Sequence, residues 1–254
     1  MIDIHNHLLM GLDDGAQSFE DTIRLLQQAK EQGITGIVVT PHHLHPKYNN
    51  KFSDVKSKLN QLKQQQQIID FGIDLYVGQE IRVKDQVLDD IEQQFIQGIN
   101  HSRYILIEFP SNSIPNYTKN LLYEIQNKGF IPIIAHPERN KAIVSNPNLL
   151  YELVINGALS QVTSSSLTGE LGKNIQNISL KLIDHNLIHF IASDAHHPIS
   201  RPFIMSDLFS ISKLKKVEDT LHELIRNNEF IIRDEEILRT RPKEIKKNKF
   251  FGLF

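Results

Sequence analysis

Residues 1–15 read MIDIHNHLLMGLDDG. A short apolar alternation runs into His5 and His7, which flank a single residue, and Asp13 and Asp14 then precede Gly15. A buried strand that ends in so many ligand-type side chains predicts a site at its C-terminal edge. Asking what stands at the end of each later strand decides the fold.

Apolar, β-branched runs recur at 36–40, 73–78, 104–109, 130–136, 159–163 and 188–193, which with 2–5 makes seven strands. Amphipathic stretches separate them, over 18–33, 53–69, 85–97, 115–128, 147–156 and 171–185. Ser18 and Asp21 form a capping-box pattern, and Gly33 suits the helix stop. Near-continuous apolar strands alternating with helices predict a parallel sheet covered by helices. No glycine-rich dinucleotide turn follows the first strand. Seven units in this length favour a closed or nearly closed α/β barrel over an open sheet. One domain is expected over 1–254, ending in a basic and aromatic tail at 241–254, RPKEIKKNKFFGLF.

The 254 residues carry 28 basic and 30 acidic side chains, a formal charge of -2. That balance argues against nucleic acid as a partner and against membrane contact beyond a peripheral one. With Cys at 0, disulfides, thiolate metal sites and cysteine nucleophiles are excluded. Asp3 and His5 stand close behind Met1, which predicts no signal peptide, and no apolar run nears the ~20 residues of a membrane span. A cytoplasmic protein is expected.

The remaining strand ends repeat the pattern of the first. The second ends TPHHLH, with His42, His43 and His45; the third gives Glu80 and the fourth Glu108. The fifth ends AHPER, with His136, Glu138 and Arg139, and the seventh ends SDAHH, with Asp194, His196 and His197, followed by Arg201. Taken singly, each has a bland reading: a local hydrogen bond, a turn, a surface ion pair. A barrel, however, brings all strand C-termini to one face. Imidazoles and carboxylates crowded there need a cation to organise them. Nitrogen and oxygen donors without sulfur suit zinc, manganese or iron. His101, His185, His189 and His222 lie away from the strand ends and read as structural or surface residues.

At this point the motifs resemble the polymerase and histidinol phosphatase superfamily. MIDIHNHLLMGLDDGAQS, IEFP, AHPERN and ASDAHHPISRP look more narrowly like the bacterial metal-dependent protein-tyrosine phosphatases of capsular and extracellular polysaccharide loci. The resemblance implies a distorted seven-stranded (β/α) barrel with three divalent metal ions, commonly Mn2+, with Fe or Zn as alternatives. It implies one ion on His5, His7, Glu80 and Asp194. A second falls on Glu80, Glu108 and His136, and a third on Asp14, His42 and His196. Arg139 and Arg201 would bind the substrate phosphate. The implied partner is the phosphotyrosine-bearing tail of a bacterial tyrosine kinase, which would recruit the chain to the inner face of the membrane.

Charge supports phosphate as ligand. Asp14, Glu80, Glu108 and Asp194 bring four negative charges against six from three divalent ions, and two arginines add to the excess. A histidinol-phosphate or other small-molecule phosphoesterase, and a non-catalytic metal-binding module, stay open as alternatives. Segment 43–52, HLHPKYNNKF, follows the second strand on the face of the site and is either a partner grip or a solvated loop. The tail either docks on a partner or membrane surface, or packs on the barrel.

Overall fold

The computed structural model describes residues 1–246. Its strands are β1 (Ile2–Asp3), β2 (Gly36–Val39), β3 (His42–His43), β4 (Asp74–Val77) and β5 (Glu80–Arg82). They continue with β6 (Tyr104–Glu108), β7 (Ile131–Ala135), β8 (Leu159–Thr163) and β9 (Phe190–Ala192). All named pairs are parallel, in two arcs of order β1-β2-β4 and β3-β5-β6-β7-β8-β9.

The arcs are pieces of one ring. The predicted second strand is broken into β2 and β3, and the third into β4 and β5. Pro41 has no N–H to give a ladder. Thr40 turns both its N–H (2.9 Å) and its hydroxyl (3.0 Å) to the Asn6 carbonyl. At the second break, a Cβ on Gly78 would lie 2.8 Å from Val38 Cγ1, so the chain passes there only as glycine. Between β9 and β1 the ring closes through an Asn6–Ala195 bridge. His7 N–H donates to Ala195 O (2.8 Å) and Asp194 N–H to His5 O (2.8 Å). Seven strand positions therefore close into the expected distorted parallel barrel.

Ile4, Val38, Leu106, Ile133, Leu159 and Phe190 fill the barrel interior, and a second apolar layer lies between strands and helices. The helix Phe19–Glu31 is held at its start by the predicted capping box: Asp21 N–H donates to Ser18 Oγ and Ser18 N–H to Asp21 Oδ2 (3.1 Å each). Such a cap is worth about 1 kcal/mol, and it orients the Leu25–Leu26 face onto the core.

The helix Glu218–Ile232 lies beyond the predicted series and seals the opposite end of the barrel from the site. Asn228 Nδ2 donates to Ile2 O and Ile191 O (2.8 Å each), and Asn227 Nδ2 to His189 O (3.0 Å). These amides satisfy carbonyls near the starts of β1 and β9, where the ladder is thinnest. Ile231 reaches into the interior cluster beside them. The first part of the predicted tail packs on the barrel: Ile245 is buried, and Asn148 pairs with both its N–H and its carbonyl. Residues 247–254 of that tail lie outside the described residues.

Candidate metal centre

The C-terminal ends of the strands form a pocket of about 350 Å³, lined by Asp14, His42, Glu80, Glu108, His136, Arg139, Asp194, His196 and Arg201 among others. His5 and His7 form its buried floor. All nine predicted ligands and both predicted arginines thus meet at one mouth. Two of them stand on left-handed backbone, His136 at φ 33° and Asp194 at φ 54°. Non-glycine residues rarely adopt that conformation, and it concentrates at functional sites.

Glu80, 1% exposed, is the hub. Its Oε2 lies 3.4 Å from His5 Nε2, 3.3 Å from His7 Nε2 and 3.0 Å from His42 Nδ1, and its Oε1 accepts from His136 Nε2 at 2.7 Å. Asp194 Oδ1 stands 3.3 Å from His5 Nε2 and 3.5 Å from His7 Nε2, while Asp194 Oδ2 accepts from Arg139 and from Arg201 (2.7 Å). One carboxylate thus divides between the imidazole cluster and the arginine pair. Asp14 Oδ1 lies 3.4 Å from His42 Nε2 and 3.7 Å from His196 Nε2.

Among the described residues, donor atoms within 4.8 Å of one another form four groups. They are His7, Asp14, His42, His196; His5, His7, Glu80; His5, His136, Asp194; and His42, Glu80, Glu108. Here Glu108 falls with His42 and Glu80, and His136 with His5 and Asp194. The expected sets Asp14–His42–His196 and His5–His7–Glu80 each fall within one group.

The donors fit cations. His5 Nδ1–H donates to Gln161 Oε1 (2.9 Å), His7 Nδ1–H to Asp13 Oδ2 (2.6 Å) and His196 Nδ1–H to Asp194 O (2.9 Å). With Nδ1 committed, each ring directs its Nε2 at the centre, the arrangement metal-binding imidazoles use. Against the cost of burial the neighbouring carboxylates raise His5 and His7, so a cation there would take the place of their protons. His5 Nε2, His7 Nε2 and His42 Nδ1 are buried without a hydrogen-bond partner. Native interiors rarely leave such atoms orphaned. Against the cost of burial, His5 and His42 hold the Glu80 carboxyl well below the usual carboxylate range. Burial and the Glu80 charge push Glu108 up to about 7. Burial and Arg139 bring His136 down to about 4, and burial and His7 bring His196 down to about 3, so both stay neutral imidazoles. The carboxylates ask for positive charge at points between the rings, where a divalent ion serves better than protons shared unequally.

Three supporting residues complete the site. Asp13 accepts from His7, from His42 N–H (3.0 Å) and from Gly15 N–H (2.9 Å). Gly15 approaches so closely that a Cβ would sit 2.0 Å from His7 O, which is why DDG ends in glycine. Arg82 and Gln161 were not singled out from sequence. Arg82 Nε lies 3.0 Å from Glu108 Oε2, and Arg82 Nη1 donates to Phe109 O (2.8 Å). The available signal was period-two spacing from Glu80, which puts both residues on one face of β5. Gln161 was visible as a polar residue inside an otherwise buried strand, LSQVT.

Of the remaining strand-end residues, His45 lines the pocket and the others stand apart. His43 Nε2 pairs with Asp90 Oδ2 (2.8 Å), away from the clusters. His197 pairs with Arg201 across a tight turn that presents the Arg201 side chain. Glu138 is fully buried and accepts from Thr163 N–H and the Ser166 hydroxyl.

Residues 1–233 match the family model described as capsular polysaccharide synthesis, CpsB/CapC. CapC of Staphylococcus aureus is 53% identical over the full length of both chains. The tyrosine-protein phosphatase YwqE of Bacillus subtilis is 41% identical, also over the full length of both. The tyrosine-protein phosphatase CpsB of Streptococcus pneumoniae is 30% identical over 90% of this chain and 96% of its own. The crystal structure of YwqE, described with CpsB as unique metal-dependent tyrosine phosphatases, superposes with a TM-score of 0.92 over 97% of this chain and 100% of that one.

Proposed function

This chain belongs to the CpsB/CapC family of capsular polysaccharide synthesis, and from that membership and the site's geometry we infer that it is a metal-dependent tyrosine-protein phosphatase. The observation that carries the reading is the convergence of buried imidazole atoms without hydrogen-bond partners, buried carboxylates and two arginines at one mouth.

The ligand field in this reading is His5, His7, Asp14, His42, Glu80, Glu108, His136, Asp194 and His196. It holds three divalent ions, manganese before iron or zinc. Oxygen and nitrogen donors with four carboxylates support that choice. When bound, such ions supply positive charge that brings the pKa of water from ~15.7 toward ~7 and shields phosphoryl oxygens.

The protein's own side chains do the rest. Gln161, Asp13 and the Asp194 carbonyl fix three imidazole tautomers, so the field is assembled before substrate arrives. Arg139 and Arg201 reach the pocket from Asp194 Oδ2 and donate to the equatorial phosphoryl oxygens, with the planar fork that suits them. Phe109 lines the same pocket and offers a flat apolar wall to an aryl ring. A tyrosine leaving group has a pKa of ~10, so departure needs little general-acid help, and no side chain is assigned that task.

The substrate in this reading is a phosphotyrosine on the tail of a bacterial tyrosine kinase. The Arg201 side chain is 40% exposed at the rim, which favours a residue presented on a protein over an engulfed metabolite. No helix among the described residues is long and apolar enough to cross a membrane. The proposed place of action is the cytoplasm, at the inner membrane face beside that kinase.

The test is turnover of a phosphotyrosine peptide before and after chelation, with metal analysis, against histidinol phosphate as rival substrate. Loss of activity on chelation, recovery with Mn2+ and preference for the peptide are expected. Activity that survives complete metal removal overturns the metal reading, and preference for histidinol phosphate overturns the substrate.

A further inference from the structure

Segment 43–51 at the mouth is tied down. Leu44 adopts left-handed backbone (φ 56°), and its N–H donates to Asn49 Oδ1 (3.1 Å). Asn50 Nδ2 donates to Leu12 O and His42 O (2.9 Å each). A leucine stays in that conformation only where the surroundings over-determine it. The consequence is an aromatic stack: the His45 ring lies 4.7 Å from His42 at 19°, and Tyr48 lies 5.3 Å from His45 at 17°.

His45 has two sides. On one it lines the metal pocket, and on the other a second open cleft bounded by Leu44, Lys51, Lys84 and Phe95. Lys51 Nζ sits 3.5 Å from the Phe95 ring centroid. Neither Lys51 nor Lys84 forms an ion pair with a carboxylate among the described residues. Asp90 is the cleft's carboxylate, and its Oδ2 is taken by His43. The cleft thus offers two ammonium groups without a carboxylate partner among the described residues, that of Lys51 resting on the Phe95 ring, and it shares the His45 wall with the phosphate pocket.

We propose that this cleft is a peptide subsite that receives an acidic residue close to the phosphotyrosine, with His45 as the partition between the two positions. The proposal rests on the phosphatase reading above and adds to it a substrate preference. An extended peptide advances about 3.3 Å per residue, so the next one or two residues pass the width of one imidazole. A glutamate or aspartate there sets its methylenes against Leu44 and its carboxylate toward the lysine ammonium groups.

The experiment compares phosphotyrosine peptides that carry Glu, Ala or Lys at the positions one and two residues either side, with a small aryl phosphate as control. It uses the parent chain, Lys51→Ala/Lys84→Ala and Lys51→Glu/Lys84→Glu. The parent should favour the Glu peptide over the Lys peptide in kcat/KM by about 3- to 10-fold, the scale of two exposed ion pairs. The difference should lie in KM and shrink at about 0.5 M salt. The alanine pair should abolish the preference and the glutamate pair reverse it, with aryl phosphate turnover unchanged in both. Equal kcat/KM for all flanking residues in the parent overturns the subsite, as does a loss of aryl phosphate turnover that matches the loss on peptides. Hydrolysis of none of the phosphotyrosine peptides would sink the phosphatase reading itself, a result distinguishable from the first.

Discussion

Replacing Asp13 by asparagine tests whether the metal field is built by its supporting residues. Asp13 is 5% exposed and accepts three hydrogen bonds, from the His7 ring, His42 N–H and Gly15 N–H. An amide has one oxygen, so in either orientation its NH2 confronts at least one of those donors. Hydrogen bonds to a charged group contribute about 1.5–3 kcal/mol. Loss of the partner that orients a ligating imidazole costs about 10- to 100-fold in metal affinity, or about 1.4–2.7 kcal/mol. Calorimetric titration of the metal-free protein with Mn2+ reads this directly, with circular dichroism to establish that the variant is folded. The expected result is weaker binding of the ions that involve His7, and phosphatase activity that returns as Mn2+ is raised. A folded Asp13→Asn chain that takes up metal with the parent's affinity and stoichiometry would refute the orienting role.

Gly15→Ala should displace the His7 segment, because the new Cβ would meet His7 O at 2.0 Å and His7 Cβ at 2.4 Å. The expected cost is about 1–3 kcal/mol of stability with reduced metal content, read by denaturant unfolding and elemental analysis. Arg201→Ala removes one charge-assisted contact to phosphate while Arg139 still holds Asp194. Inhibition by inorganic phosphate should weaken about 10- to 100-fold at unchanged metal content; an unchanged inhibition constant contradicts the role. His189 is buried, far from the site, and accepts from Ser160 N–H through Nδ1. Burial holds it down at about 3, below its unfolded value of 6.5. Its contribution is therefore complete above pH 6.5 and is lost as pH falls toward 3, by up to about 1.4 kcal/mol per pH unit. In thermal melts of the metal-free proteins, His189→Gln should lose less stability than the parent between pH 6.5 and 4.5, and parallel curves would rule this out.

The barrel was legible because its evidence is local. β8 runs over the predicted 159–163, and the Ser18–Asp21 cap stands where its spacing put it. Apolar runs and caps are decided by nearest neighbours along the chain, so a sequence carries them openly. The breaks after Val39 and Val77 were less legible. They depend on what Asn6 offers to Thr40 and on how near Gly78 comes to Val38, both contacts across strands. The helix Glu218–Ile232 was missed because the reading stopped at the last strand, and its place is fixed by Asn227 and Asn228 reaching carbonyls nearly forty residues or more away.

The sequence by itself determined which side chains stand at the strand ends, because every strand of a parallel barrel finishes on the same face. Which atoms face which was decided only in three dimensions. Glu108 stands with His42 and Glu80, Arg82 guards Glu108, and Gln161 turns His5. A strand's direction follows from its own residues. The angle of a ring around its χ torsions follows from whatever acceptor the neighbouring strands bring within reach.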